Sequence, residues 1–91
     1  MNKADLAEKV AADTGVSKRI AMQAVGSVFE GIEQSLATGE DVSVPGFGKF
    51  MVVARPERQG RNPQTGEFID IPAGMNVRFK PGAPLKRAVD Q

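Results

Sequence analysis

Three arginines recur at three-residue intervals in the most basic part of the chain, at Arg55, Arg58 and Arg61. A guanidinium is planar and always charged, and it pairs with phosphate oxygens better than an ammonium does. Between Lys49 and Arg61 the only acidic residue is Glu57, so little in the segment neutralises these charges. The type and spacing of these side chains indicate phosphate binding.

Catalytic chemistry is not indicated, because the 91 residues include no His and no Cys. The commonest general base and thiol nucleophile are thereby absent, and zinc or iron–sulfur sites would lack their usual ligands. Gly46-Phe47-Gly48-Lys49 lacks the remaining residues of a P-loop, and we interpret it as a tight turn with a buried Phe47. We predict no catalytic residues, no metal and no cofactor.

The total charge of +1 conceals an uneven distribution along the chain. Residues 1–41 carry four basic and seven acidic side chains, a net charge of −3. Residues 42–91 carry eight basic and four acidic ones, a net charge of +4. This division indicates that the second half binds an anionic partner. No apolar targeting segment or bilayer-spanning run is visible, so we expect no membrane partner.

Two helices are predicted in the N-terminal half. Asn2 and Asp5 have the spacing of a capping box before a helix over residues 3–13. Ser17 is a suitable N-cap for a longer helix that reaches about Thr38. The apolar residues of this second helix recur with a 3.6-residue period, and they are Ile20, Ala21, Ala24, Val25, Val28, Phe29, Ile32 and Leu36.

The apolar period then changes to 2, which predicts strands. Val42 and Val44 mark the first strand, and Val77 and Phe79 mark a short last one. The other predicted elements cover residues 49–55 and 68–71 as strands and 85–89 as a terminal helix. The order α-α-β-β-arm-β-α corresponds to an α+β fold.

Residues 55–72 are predicted to form a hairpin around the turn Asn62-Pro63-Gln64-Thr65-Gly66. Its flanks have too few large apolar side chains to form a core. The arm is therefore either an ordinary solvated hairpin or a basic ribbon of a width that fits a DNA groove. Pro56 and Pro72 each remove a ladder donor near its base, so we expect a flexible joint there, which in the DNA-groove alternative becomes ordered only on DNA.

A second candidate for DNA binding lies in the helices. Residues 5–25 resemble a helix-turn-helix whose second helix opens with Ser17-Lys18-Arg19. The negative charge of this half and the length and apolar face of the second helix argue against it. Gly26 and Gly31 within that helix instead predict close approach of another helix. Oligomerisation would supply the burial that a small chain without disulfides lacks.

Three motifs in the second half resemble the bacterial HU/IHF family of DNA-bending proteins. In chain order they are Gly46-Phe47-Gly48-x-Phe50, Gly60-Arg61-Asn62-Pro63-Gln64-Thr65-Gly66, and Phe79-Lys80-Pro81-Gly82 followed by Leu85-Lys86. The match runs from Met1 to Val89. The opening Met1-Asn2-Lys3 and the short C-terminus are more similar to HU than to either IHF subunit.

The resemblance implies an intertwined dimer in which residues 1–91 form a single DNA-binding domain. Residues 1–40 would form a helical dimerisation base, and residues 41–91 a small antiparallel sheet, the β-arm at about 55–73 and the terminal helix. The resemblance assigns to the dimer core Val28, Phe29, Ile32, Leu36, Phe47, Phe50 and Phe79.

The resemblance also implies the DNA-binding residues. HU and IHF bind the minor groove and insert apolar side chains between base steps, and Pro63 matches the intercalating proline. The remaining implied DNA contacts are Lys3, Arg55, Arg58, Arg61, Asn62, Gln64, Lys80 and Lys86. Family members often have basic residues where this chain has Val53, Met75 and Ala83, which predicts a weaker salt dependence of binding.

We therefore expect a homodimer that binds and bends double-stranded DNA in the cytoplasmic nucleoid with little sequence preference. Bent, nicked or kinked DNA is the expected preferred form. Two alternatives remain open. In the first, the chain would be one subunit of a sequence-selective, IHF-like heterodimer. In the second, it would be an interaction domain whose basic hairpin binds an acidic protein.

Overall fold

The computed structural model describes residues 1–90, which form two compact units, Met1–Thr38 and a second unit that begins at Gly39. The elements are α1 (Lys3–Thr14), α2 (Lys18–Ala37), β1 (Val42–Val44), β2 (Gly48–Arg55), β3 (Arg58–Arg61), β4 (Phe68–Ile71), β5 (Gly74–Pro81) and α3 (Ala83–Val89). The predicted order of elements and the α+β class are confirmed.

The helices of the first unit begin where local capping predicts. The Asn2 side chain accepts a hydrogen bond from the Asp5 backbone N–H at 2.9 Å, and the Asp5 carboxylate accepts one from the Asn2 N–H at 3.0 Å. Ser17 Oγ accepts a hydrogen bond from the Ile20 N–H at 3.2 Å. Gly15 ends α1 with φ +79°, a conformation that glycine adopts without strain.

The core of the first unit is small. Among the described residues only Ala7, Ala21 and Val25 are buried. Farther along α2, Val28 is 60% exposed and Phe29 is 46% exposed. Burial of two alanines and a valine contributes little favourable free energy. The conformational entropy lost in ordering two helices costs much more. The apolar face of α2 is thus largely exposed in the single chain.

The second unit contains an antiparallel sheet in the order β1-β2-β5. β2 pairs with β5 from Gly48↔Pro81 to Arg55↔Gly74. The last strand is therefore longer than the short one predicted around Val77 and Phe79, because pairing with β2 extends it from Gly74 to Pro81. The terminal helix begins at Ala83, two residues earlier than predicted, since Pro at its first turn is compatible with helical φ.

The turn between β1 and β2 is confirmed. Gly46 has φ +80°, and the Phe47 N–H donates to the Val44 carbonyl at 3.0 Å. A Cβ at Gly48 would lie 2.5 Å from the Phe79 ring, so glycine lets that ring pack against the turn. The centroids of the Phe47 and Phe79 rings are 5.6 Å apart. The prediction of a buried Phe47 is wrong for the single chain, where this residue is 47% exposed.

Candidate nucleic-acid interface

The two long strands divide their side chains between two faces of the sheet. Residues directly opposite each other in an antiparallel pair point to the same side, and successive residues alternate. Phe50 and Phe79 are directly opposite each other, and their ring centroids accordingly lie 4.9 Å apart on an apolar face. The other side, here called the basic face, carries Lys49, Arg55, Arg78 and Lys80.

Lys80 and Lys86, both predicted DNA contacts, line one shallow depression beside the β1–β2 turn. Lys49 lines it as well and was not predicted, although it stands directly opposite Lys80. Like charges in this arrangement repel, and the Asp41 carboxylate, 3.6 Å from Lys49 Nζ, offsets part of that repulsion. Side chains alternate between the two faces of a strand. The position of Lys49 next to the apolar Phe50 is therefore the sequence signal that could have placed Lys49 on the face opposite the apolar one.

The basic face also contains Arg78, which sequence analysis missed and which lies opposite Met51. Lys3, the remaining predicted contact in the body of the protein, is the exposed first residue of α1 in the other unit. Within residues 1–90 no cluster of three or more acidic side chains could hold a metal ion. The helices of the same range are too short or too polar to cross a bilayer.

The strand ladder is interrupted between the sheet and the arm, which consists of β3, β4 and the turn between them. β2 and β5 pair as far as Arg55↔Gly74, and β3 and β4 pair only from Arg58↔Ile71 onward. The unpaired residues between them, here called the arm root, are Pro56, Glu57, Pro72 and Ala73. Proline has no N–H to donate. The break in the ladder therefore falls at Pro56 and Pro72, the two positions where the sequence predicts the loss of a ladder donor.

The three arginines of the arm segment have different surroundings. Arg55 is half-buried and donates hydrogen bonds from Nε to the Pro72 carbonyl at 3.2 Å and from Nη1 to Asn76 Oδ1 at 2.8 Å. Arg58 is exposed, and its guanidinium makes no hydrogen bond or ion pair with any other residue in the range 1–90. Of the two, Arg58 is therefore the one free to meet a phosphate.

Arg61 has a third kind of environment, near the tip of the arm. Its Nε donates to the Gly66 carbonyl at 3.1 Å, and its guanidinium carbon lies 5.5 Å from the centroid of the Phe68 ring. Phe68 is otherwise 71% exposed. The cation–π contact and the hydrogen bond to Gly66 orient the guanidinium and leave its Nη donors available to a ligand.

Backbone hydrogen bonds hold the tip that presents Pro63. The Asn62 N–H donates to the Glu67 carbonyl at 2.8 Å, and the Gly66 N–H donates to the Asn62 carbonyl at 2.7 Å. The Asn62 side-chain oxygen accepts from the Gln64 N–H at 2.9 Å. Asn62 is thus engaged in shaping the turn, and Pro63 is exposed on a loop of defined conformation.

This combination of a basic sheet face and a basic hairpin is typical of a DNA-binding protein that contacts the duplex with β-structure. The family of bacterial DNA-binding proteins matches residues 1–90. The chain therefore belongs to this family, which confirms the resemblance seen in its motifs. Membership also confirms the prediction that the chain is not an enzyme.

Its relatives include several proteins named HU. The chain is 54% identical over 89 residues to the SPbeta prophage-derived DNA-binding protein HU 2 of Bacillus subtilis, covering 98% of this chain and 97% of the relative. It is 53% identical over 89 residues to DNA-binding protein HU of Staphylococcus aureus, covering 98% and 99%.

Solved structures of HU proteins have the same fold. The HU of Anabaena, in a cocrystal with DNA, superimposes with a TM-score of 0.90 at 35% identity, covering 98% of this chain and 97% of that one. HU from Thermotoga maritima superimposes with a TM-score of 0.68 at 31% identity, covering 98% of both chains.

Proposed function

We propose that this chain is a homodimeric protein of the cytoplasmic nucleoid that bends DNA with little sequence preference. The observation that carries the proposal is the arm, a two-stranded ribbon that bears Arg58 and Arg61 and ends in a turn exposing Pro63. A ribbon of this width fits a DNA groove. The likeness to the Anabaena HU, which was crystallised with DNA, supports the same partner for this chain.

In the proposed mechanism each arm enters the minor groove and Pro63 inserts between two base pairs. Such a wedge unstacks a base step at a cost of a few kcal/mol, which is offset by the additional protein surface that bent DNA contacts. Proline suits this position because its ring is apolar and it carries no N–H to leave unpaired. The hydrogen bonds of Asn62 fix the turn beforehand, so little conformational entropy is lost on insertion.

The basic groups of the body are proposed to contact DNA on either side of the bend. Lys3, Lys80 and Lys86 would meet phosphates there, together with Lys49 from the same depression. Phosphate contacts position a protein without reading sequence, which accounts for the tolerance we propose. DNA that is already bent, nicked or kinked needs less energy for the remaining deformation, so such forms should bind more tightly.

The proposed homodimer is supported by the apolar side chains that the single chain leaves exposed. Val28 and Phe29 project from α2, and a second copy that covers them would supply the core that a chain of this length lacks. A Cβ at Gly26 or Gly31 would meet no atom within 4 Å in the single chain. Close approach of a partner helix would explain both glycines. The other proposed core residues are Ile32, Leu36, Phe47, Phe50 and Phe79.

Electrophoretic mobility shifts of the purified chain test the proposed function. Intact, nicked and kinked duplexes of the same sequence are compared from low to physiological salt. Tighter binding to the distorted duplexes, with affinity falling steeply as salt rises, supports the proposal. The absence of binding at low salt contradicts it and favours the acidic-protein alternative. Strong preference for one intact sequence, requiring a second kind of subunit, favours the IHF-like alternative.

A further inference from the structure

The Arg55 side chain hydrogen-bonds both to the arm root and to the sheet beside it. Arg55 is the last residue of β2 that pairs with β5. Its Nε donates to the carbonyl of Pro72, in the unpaired segment that leads from the arm, at 3.2 Å. Its Nη1 donates to Asn76 Oδ1, within β5, at 2.8 Å. One guanidinium therefore joins the end of the sheet to the segment that connects it with the arm.

Gly74 provides the space that this arrangement needs. Gly74 lies directly opposite Arg55, and a Cβ there would be 2.5 Å from Arg55 Nη2 and 3.3 Å from Cζ. The guanidinium consequently lies against the backbone of β5. Pro72 and Asn76, two residues before and two after Gly74, are the diagonal neighbours that a long side chain reaches across an antiparallel pair.

We propose that Arg55 is a positioning residue that limits movement of the arm about its root. Pro56 and Pro72 interrupt the ladder there. The hydrogen bond to the Pro72 carbonyl ties the arm root to the end of β2, and the hydrogen bond to Asn76, within the sheet, holds the guanidinium in position to make it. A charged donor makes these bonds stronger than neutral ones. Arg55 thereby acts through the arm, whereas Arg58, whose guanidinium is free, acts on the DNA.

The inference about the free protein stands apart from DNA binding, but its consequence for bending rests on the proposed function. An arm held near one direction loses less entropy when it enters the groove. Loss of the Arg55 hydrogen bonds should then reduce bending without removing a charge from the DNA interface. A phosphate contact by Arg55 would have the opposite signature, because replacing the arginine would remove a counterion-releasing charge.

Amide hydrogen exchange of the free, full-length chain tests the positioning role directly. Gly74→Ala displaces only the end of a flexible side chain and leaves every hydrogen-bonding group present, and Asn76→Ala removes one acceptor. In both variants the amides of residues 58–71 should exchange roughly fivefold faster, the order of effect of one hydrogen bond. Amides in α1 should exchange at the original rate. Arm exchange that is unchanged in both variants overturns the proposal.

A control within the arm is Arg58→Gln, which changes an arginine three residues from Arg55 without touching the Arg55 contacts. Its arm amides should exchange as in the original chain. If Arg58→Gln accelerates exchange as much as Gly74→Ala does, the effect is not specific to Arg55 and the proposal is overturned.

DNA binding then separates a positioning role from direct contact. With Arg55→Gln and Asn76→Ala, the proposal expects similar losses of bend angle and an unchanged slope of log affinity against log salt. Two results together would identify a phosphate contact and overturn the proposal. The slope would fall by about 0.9 for each arm in Arg55→Gln, and Asn76→Ala would keep the slope and bend angle of the original chain. If the original chain fails to bind DNA, the proposed function fails while the exchange result still decides the positioning role.

Discussion

Each arginine of the arm segment has a chemical role limited by the contacts it already makes. Arg61 has its Nε–H bonded to the Gly66 carbonyl and its guanidinium carbon within cation–π distance of the Phe68 ring, so its orientation is set before a ligand arrives. Arg58 has no such contact within the described chain. Arg58 can therefore follow a phosphate, while Arg61 presents a fixed group of donors beside the tip.

Replacing Arg58 with Gln should lower the salt dependence of DNA binding. Removing one bound phosphate from the interface reduces the slope by about 0.9, so the two arms of a dimer together should reduce it by about 1.8. Affinity should fall similarly for all sequences, because phosphate contacts carry no sequence information. Fluorescence anisotropy titrations over a salt series measure the slope. Arg19→Gln, the same charge change at the start of α2, serves as the control and should leave the slope unchanged.

Replacing Pro63 with Ala should reduce DNA bending far more than low-salt affinity. The substitution shortens the apolar wedge but preserves the arginines that supply most of the electrostatic attraction. Energy transfer between dyes at the two ends of a short duplex reports the bend at saturating protein. Gln59→Ala, a neutral change on β3, should bend DNA normally. An unchanged bend angle with Pro63→Ala would show that Pro63 is not the wedge.

At the scale of elements, the arm has little to hold it together besides its own ladder. β3 and β4 are four residues each, and a Cβ at Gly60 would lie 2.9 Å from Ile71 Cδ1, so glycine lets this isoleucine fold across the ribbon. Ile71 is the only residue of β4 that is not exposed. A two-stranded hairpin with so small an apolar cluster is marginally stable in water.

Amide exchange in the free protein should therefore be faster in the arm than in the body sheet. The Arg55 hydrogen bonds restrict the root without restoring a continuous ladder, so local opening of the arm costs less than opening of β2 and β5. Adding a saturating DNA duplex should slow exchange in residues 58–71 selectively. Equal protection of arm and body without DNA would contradict the flexible joint predicted from Pro56 and Pro72.

Local signals in the sequence predicted the elements well, but not the contacts that depend on pairing between distant segments. Asn2, Ser17 and Gly15 define helix ends because caps involve residues a few positions apart. The length of β5 and the shared face of Lys49 and Lys80 follow from the register with β2, which local periodicity does not encode.

The contacts of the Arg55 side chain were unpredictable for the same reason. They depend on the Pro72 carbonyl and the Asn76 amide, 17 and 21 residues further along the chain. From sequence, Arg55 belongs to a series with Arg58 and Arg61 and is predicted to share their role. Its partners become visible only when the register places Gly74 opposite it.

At the scale of the whole molecule, the uneven charge and the small core have a common interpretation. The helical first unit exposes apolar side chains such as Val28, and the second unit, which holds eight of the twelve basic side chains, carries the arm. If two copies associate through the helices, the apolar surface is covered and two arms are available to one DNA duplex. Binding by two linked arms is stronger than binding by one, provided that both can engage at once.

Sedimentation equilibrium should accordingly give twice the chain mass of 9.7 kDa. Val28→Lys places a charge where we propose apolar contact with the second copy, so it should shift the equilibrium toward monomer and lower the melting temperature. For a protein stabilised by association, that temperature should also rise with protein concentration. Gln34→Lys adds the same charge on another side of α2 and should sediment as the original chain does. A stable, concentration-independent monomer for the original chain would contradict the dimer, because its three buried residues would then have to sustain the first unit alone.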